Sequence, residues 1–341
     1  MNHRADTLID AVRAGRDLSR TETAELFAEL MGGRLDGDRI ASLLIGLAEK
    51  GETVDEIVGA AQVMRRHFIG VGCDDADAID TCGTGGDGIS TFNVSTVAAI
   101  VAAAAGARVA KHGNRTNTRR SGSAEALAQL GVNIDAPNET VVRCLREIGI
   151  AFLYAARLHP AMRHAAEVRR RLGRPTLFNL LGPLTNPAGV RRQVVGVPRV
   201  ELTDRIARAL RELGAVHALV VHGGDGLCDL TVTAPSVCVE LRDGNLTTNT
   251  VTPEDVGLAR GPLDALRIDG PAASADAIRA ILAGESGPRR DHTLLNAAAA
   301  LVVAGIATDL ADGVTRGAAA IDSGAARAKL NQWITGSRVG G

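Results

Sequence analysis

Apolar residues recur at helical spacing from the start of the chain. Leu8, Ile9 and Val12 share one stripe, Leu26, Phe27, Leu30 and Met31 a second, and Ile40, Leu43, Leu44 and Leu47 a third. Ser19 with Glu22 and Thr53 with Glu56 have capping-box spacing, in which a hydroxyl caps the helix start and an acid three residues on returns the bond. Helices are predicted to open at both. Gly32-Gly33 ends the second helix, the third stops near Gly51, and the fourth carries Ile57, Ala61 and Met64. No strand pattern interrupts the first seventy or so residues, which predicts a small helical layer.

From Ile79 the pattern changes to short apolar runs alternating with helical stretches. Arg108 to Lys111, Ile150 to Tyr154, Gln193 to Val197 and His217 to Val221 read as strands. This alternation predicts an α/β region whose sheet is mainly parallel and covered by helices on both faces. Ser236 to Val251 has no helical spacing and is expected to add an antiparallel edge, and about Ala275 to Trp333 reads as helical.

Composition narrows the function classes. The 341 residues are 45% hydrophobic and 23% charged, which excludes a disordered or collagen-like chain. The formal net charge is −1, and aromatics make up only 2%. Neither a wholly basic nucleic-acid surface nor a run of stacking rings is available, so no nucleic-acid partner is expected. Any anion must be met by local charge. The five cysteines are scattered without CxxC spacing, and no secretory signal pattern opens the chain, which predicts a reducing, cytoplasmic setting. The most apolar run, Val97 to Ala105, is far below the roughly 20 residues that span a bilayer, so no membrane partner is expected.

Three segments carry candidate chemistry. Asp80-Thr81-Cys82-Gly83-Thr84-Gly85-Gly86-Asp87-Gly88 follows a short strand and precedes Thr91-Phe92-Asn93-Val94-Ser95-Thr96 and an Ala-rich helix. A glycine-rich turn lets amides approach phosphate oxygens, and a helix start offers more donors. Asp87 would repel phosphate unless it meets a hydroxyl or magnesium, so a sugar phosphate with magnesium suits the segment. Lys111-His112-Gly113-Asn114-Arg115-Thr116-Asn117-Thr118-Arg119-Arg120-Ser121-Gly122-Ser123 follows the next strand and should emerge on the same sheet edge. The third segment, His159 to Arg171, has helical spacing that would put His159, Arg163 and Arg170 on one face and Arg169 on another. With Arg169 to Arg171, the cations Lys111, Arg115, Arg119 and Arg120 are expected to face a cleft.

Taken with Phe178-Asn179-Leu180-Leu181-Gly182-Pro183-Leu184-Thr185-Asn186-Pro187, these motifs resemble the anthranilate phosphoribosyltransferase family, over nearly the whole chain. The resemblance implies a pentosyltransferase that uses Mg2+ to transfer phosphoribosyl from 5-phosphoribosyl 1-diphosphate to anthranilate. It also implies a homodimer, and a helical subdomain hinged to an α/β subdomain. The helical part would be residues 1–70 plus a segment near 160–185, and the α/β part 75–155 and 190–335. The diphosphate substrate would be held by Gly83, Gly86, Asp87, Thr91, Asn93, Val94, Ser95, Thr96, and Lys111-His112-Gly113-Asn114-Arg115 with Thr118, Arg119 and Ser123. Gly83, Asn114, His159 and Arg169 would meet anthranilate, Arg169 through its carboxylate. His112 is a candidate for assisting catalysis, although an aniline amine is already unprotonated and demands no strong base.

The family pattern is not followed throughout. Where the family has an Asp-Glu pair for magnesium, this chain has Cys228-Asp229. Ser95 and Asp229 are then the expected ligands, with Asp225 an additional candidate and Cys228 poorly suited to a hard cation. Two serines of the family are replaced by Thr118 and Arg119, and Ala156 stands where proline is common. These departures leave open a divergent paralogue acting on another amine or heterocycle, and a non-catalytic dimeric binding protein.

Overall fold

The structure is a computed structural model that describes residues 3–72, 77–116 and 120–339. Four helices open the chain: α1 His3–Arg13, α2 Arg20–Met31, α3 Gly37–Lys50 and α4 Val54–His67. Both capping boxes form, Ser19 with Glu22 and Thr53 with Glu56. Glu56 does more than cap. Its buried carboxylate also accepts from Leu18 N at 2.9 Å and Lys50 Nζ at 2.7 Å, so the start of α4 is tied to the ends of two neighbouring helices. A buried acid is tolerated when its oxygens are paired in this way.

The chain then alternates as the pattern predicts: β1 Ile79–Thr81, α5 Val94–Ala104, β2 Val109–Gly113, α6 Ser123–Leu130, α7 Asn138–Arg143 and β3 Ile150–Tyr154. Three short helices follow on the side of the helical bundle: α8 Ala155–Leu158, α9 Arg163–Leu172 and α10 Leu177–Leu181. The sheet resumes with β4 Arg192–Gly196, α11 Glu201–Glu212, β5 His217–Gly223, β6 Ser236–Arg242 and β7 Asn245–Val251. The chain ends in α12 Pro271–Leu282, α13 Pro288–Val303, α14 Leu310–Asp322 and α15 Ala325–Arg338.

The seven strands order as β3-β2-β1-β4-β5-β6-β7. The first five strands pair in parallel, and the β6–β7 hairpin supplies the expected antiparallel edge. Alternate residues bury opposite faces: Val194, Leu219 and Val221 pack with α5 and α13, whereas Val195, Ala218 and Val220 pack with α11 and the helical bundle. The fold is thus a helical bundle beside a larger α/β unit. Because β2 lies on one side of β1 and β4 on the other, the crossover direction reverses at β1, where open α/β sheets leave a crevice beyond the strand ends. Among the described residues, no helix is long and apolar enough to cross a membrane.

Candidate functional site at the carboxyl ends of β1, β2 and β5

The crevice is floored by the glycine-rich turn after β1. Gly85 and Gly86 have φ of +66° and +91°, a backbone region that side-chain-bearing residues rarely adopt. Asp87 reaches across it. Its Oδ1 accepts from Ile89 N at 3.2 Å and its Oδ2 from Cys228 N at 3.2 Å, so it fastens this turn to the loop after β5. That loop is also in close contact with the neighbouring strand: a Cβ on Gly196, at the end of β4, would stand 1.6 Å from the Cys228 carbonyl oxygen.

Lys111 is buried, and its ammonium donates to Thr81 O at 2.7 Å and Ser95 Oγ at 3.2 Å. Burial pulls its pKa down. Ser95 and Asp229 line one small cavity of about 10 Å³ with Thr81, Gly83 and Asn296, roughly the room of one water molecule. A hydroxyl and a carboxylate are hard oxygen donors that suit magnesium. The Cys228 thiol instead donates to Gly85 O at 3.6 Å and is absent from the cavity lining. Asp225 is turned to its own loop, accepting from Leu227 N at 3.1 Å, Thr231 Oγ1 at 2.7 Å and Thr233 Oγ1. These residues fit one hard cation.

Thr91, Asn93 and Thr96 are buried at the start of α5, with Val94 between them, and Ser95 is half-buried. Asn114 and Arg115 are exposed on the loop after β2, and Ser123 opens α6 with its hydroxyl donating to Asn114 O at 3.4 Å. A Cβ on Gly113 would stand 2.2 Å from that hydroxyl, so the loop leaves β2 close against α6. Thr118 and Arg119 lie outside the described residues. Not every expected cation turns to the crevice: Arg120 pairs with Asp269, and Arg171 lies 3.4 Å from Asp38 of α3.

His112 and His159 meet ring to ring. The Nε2 atoms are 3.1 Å apart, and His112 Nδ1 lies 3.0 Å from Gly182 O. A carbonyl only accepts, so in the neutral ring Nδ1 carries the hydrogen and Nε2 offers its lone pair to the His159 Nε2–H. Burial pushes the pKa of His112 down to about 3, aided by His159, and that of His159 down to about 4. His159 is not on the helix face that its spacing suggests. Pro160 begins a separate tight turn through Met162, and α9 starts only at Arg163, so Arg163 and Arg170 lie apart from it on that later helix. Arg169 does separate from them, as expected. It is half-buried over the Phe178 ring, 5.2 Å from its centroid, and has no ion-pair partner among the described residues.

Several supporting groups carry no sequence signal of a role. Asp80 accepts from His112 N at 3.0 Å and Asn186 Nδ2 at 2.8 Å. Asn296 brackets the loop after β5 through Leu230, accepting from its N–H at 3.2 Å and donating to its carbonyl at 2.8 Å. Asp80 and Asn186 stand inside motifs whose signal lies in other residues, whereas Asn296 belongs to an Ala-rich helix that reads only as core.

Comparison with known proteins fits this architecture. The glycosyl transferase family α/β domain matches residues 75–327, and that family's helical bundle domain matches 6–68. An anthranilate phosphoribosyltransferase of Anaeromyxobacter sp. (strain K) is 52% identical over 97% of this chain and 98% of its own length. The chain belongs to the anthranilate phosphoribosyltransferase family. The Chloroflexus aggregans member is also 52% identical, over 97% of both chains. Among solved structures, the Thermus thermophilus enzyme superposes with a TM-score of 0.92 at 42% identity, covering 97% of this chain and 99% of its own. The Saccharomyces cerevisiae enzyme in complex with PRPP and Mg gives 0.90 at 26%, covering 99% and 98%.

The histidine pair carries a pH prediction. Both folded-state pKa values lie below the ordinary 6.5, so the unfolded chain binds more protons between about pH 7 and 4, and stability falls as pH drops through that window. The urea midpoint is expected to be lower at pH 5 than at pH 7, with a smaller difference in His159→Gln. An equal fall in both proteins would remove the pair as a cause.

Proposed function

We propose that this crevice transfers the phosphoribosyl group of 5-phosphoribosyl 1-diphosphate to the amine of anthranilate, giving N-(5-phosphoribosyl)anthranilate and diphosphate. One observation carries the reading: Ser95, in the first turn of α5, and Asp229, on the loop after β5, line the same cavity, with Lys111 bonded to the Ser95 hydroxyl. A diphosphate leaving group needs cation, amide donors and metal-binding oxygens at one place. Ser95 and Asp229 would hold Mg2+, which when bound offsets the negative charge gathering on the leaving diphosphate. The amides of the glycine turn and of the α5 start contribute fixed donors, and Lys111 contributes a positive charge already stripped of water.

Arg169 supports the choice of acceptor. A half-buried guanidinium resting on an aromatic ring without a carboxylate is a ready partner for one, and its fork matches a carboxylate with two parallel bonds. The acceptor amine attacks as a neutral nucleophile, and the neutral His112–His159 pair adds no charge to repel the cationic ribose that forms as diphosphate departs. Gly83, Asn114 and His159 complete the acceptor contacts in this reading. Incubation with 5-phosphoribosyl 1-diphosphate, magnesium and anthranilate is expected to quench anthranilate fluorescence and release diphosphate, and excess EDTA to stop both. Diphosphate release with another aromatic amine, and none with anthranilate, would move the protein to a second reading, a paralogue with a different acceptor.

Cys228 is the observation behind that second reading, because a thiol bonded to Gly85 O leaves the loop with Asp229 alone facing the cavity. Replacing Cys228→Asp together with Asp229→Glu is expected to lower the magnesium concentration for half-maximal activity. An unchanged titration would show that the existing donors already complete the site.

The reading extends to a cytoplasmic homodimer joined through the helical bundle. It also includes a hinge between residues 1–70 with 160–185 and residues 75–155 with 190–335. Sedimentation at micromolar concentration is expected to give twice the 35.3 kDa chain mass, and a monomeric mass would overturn the dimer.

A further inference from the structure

Asparagine is among the residues that most often close a helix start, its side-chain oxygen accepting from the second or third amide. Asn93 occupies that position on α5 yet makes no such bond. Its Oδ1 accepts instead from two serine hydroxyls, Ser274 Oγ at 2.7 Å and Ser121 Oγ at 2.7 Å. Its Nδ2 donates to Ser121 O at 3.2 Å, and its own backbone N–H donates to Ser274 Oγ at 3.0 Å. All three residues are buried, and Ser274 is 0% exposed in the first turn of α12.

We propose that Ser274 is a positioning residue for the diphosphate site. It holds the Asn93 carboxamide off its own helix, so the Ser95 amide, flanked by Val94 N and Thr96 N that donate to Phe92 O at 2.7 Å and Asn93 O at 2.9 Å, stays open to a phosphate. The two serines play different parts. Ser121 belongs to the loop after β2, whereas Ser274 is fixed in a helix, its N–H bonded to Gly270 O at 3.1 Å. Without the Ser274 hydroxyl, the Asn93 oxygen loses one of its two donors and its backbone N–H loses its acceptor, so the side chain is freer to turn and cap α5. A capped helix start competes with an anion for the same amides. The proposal rests on the reading above that the α5 start receives the diphosphate.

Calorimetric titration with magnesium 5-phosphoribosyl 1-diphosphate tests it on the wild type, Ser274→Ala, Asn93→Ala and the double variant. Ser274→Ala is expected to weaken binding about tenfold in the wild-type background, the effect of about one buried hydrogen bond. With Asn93→Ala already present it is expected to change binding less than about twofold, because the competing cap is gone. Ser337→Ala, which removes another buried hydroxyl at 3.0 Å from Asn133 N on the last helix, is the control for a merely structural loss and should leave binding unchanged. Unaltered binding in Ser274→Ala, an equal loss in both backgrounds, or an equal loss in Ser337→Ala would each overturn the proposal while leaving the site assignment intact. A wild type that binds no 5-phosphoribosyl 1-diphosphate would overturn the site assignment itself, and this proposal with it.

Discussion

A buried carboxylate organises the working end of the sheet. Asp80, on the central strand β1, is 0% exposed and holds the backbone of β2 through His112 N and the segment returning from the helical side through Asn186. Desolvation pushes its pKa up to about 6, opposed by the nearby Lys111 and by the Asn186 hydrogen bond. A carboxylate so placed is stable only with its hydrogen bonds made, so it fixes the heights of three chain segments relative to one another. Asn186 extends the lock, its amide also donating to Ala110 O at 2.9 Å.

With the β2 backbone held, ordinary strand alternation separates the chemistry. Lys111 and His112 are neighbours in sequence, and successive side chains on a strand point to opposite faces. Lys111 goes to Thr81 and Ser95 at the start of α5, and His112 goes to Gly182 and His159 on the side of α9 and α10. One short strand thus sends a cation to the side proposed for the diphosphate and a neutral ring to the side proposed for the acceptor. A one-residue slip in the β1–β2 register would exchange them.

What could be read from the sequence follows the range of the forces involved. Both capping boxes were legible because each is closed within four residues, and strands such as β3 and β5 were legible because burial on both faces writes apolar runs, whereas β1, with Asp80 and Thr81 in its three residues, carries no such run. The glycine turn and the Lys111 loop stood out as candidate chemistry because glycine and clustered charge have few other uses after a strand. His159 is misplaced by helical spacing, which says nothing about where Pro160 restarts the chain. Ser274 left no trace, since its partner lies 181 residues away and a serine in the first turn of an Ala-rich helix looks like any other.

The scarcity of aromatics takes on a sharper meaning in three dimensions. Of five phenylalanines, Phe178 lies under Arg169, Phe27 backs Phe178 with centroids 5.7 Å apart, and Phe68 meets His159 edge-on at 6.0 Å. These rings support polar groups. A guanidinium kept half out of water on a ring face, and an imidazole braced at its edge, hold their positions with little conformational freedom, so in the proposed reading an anionic acceptor would meet the guanidinium donors already in place. That arrangement also fits a chain of net charge −1 with the proposed anionic substrates: many of its arginines are paired on the surface, whereas Lys111 is buried near Asp80 but bonded only to neutral oxygens, and Arg169 rests on a ring with no ion-pair partner among the described residues.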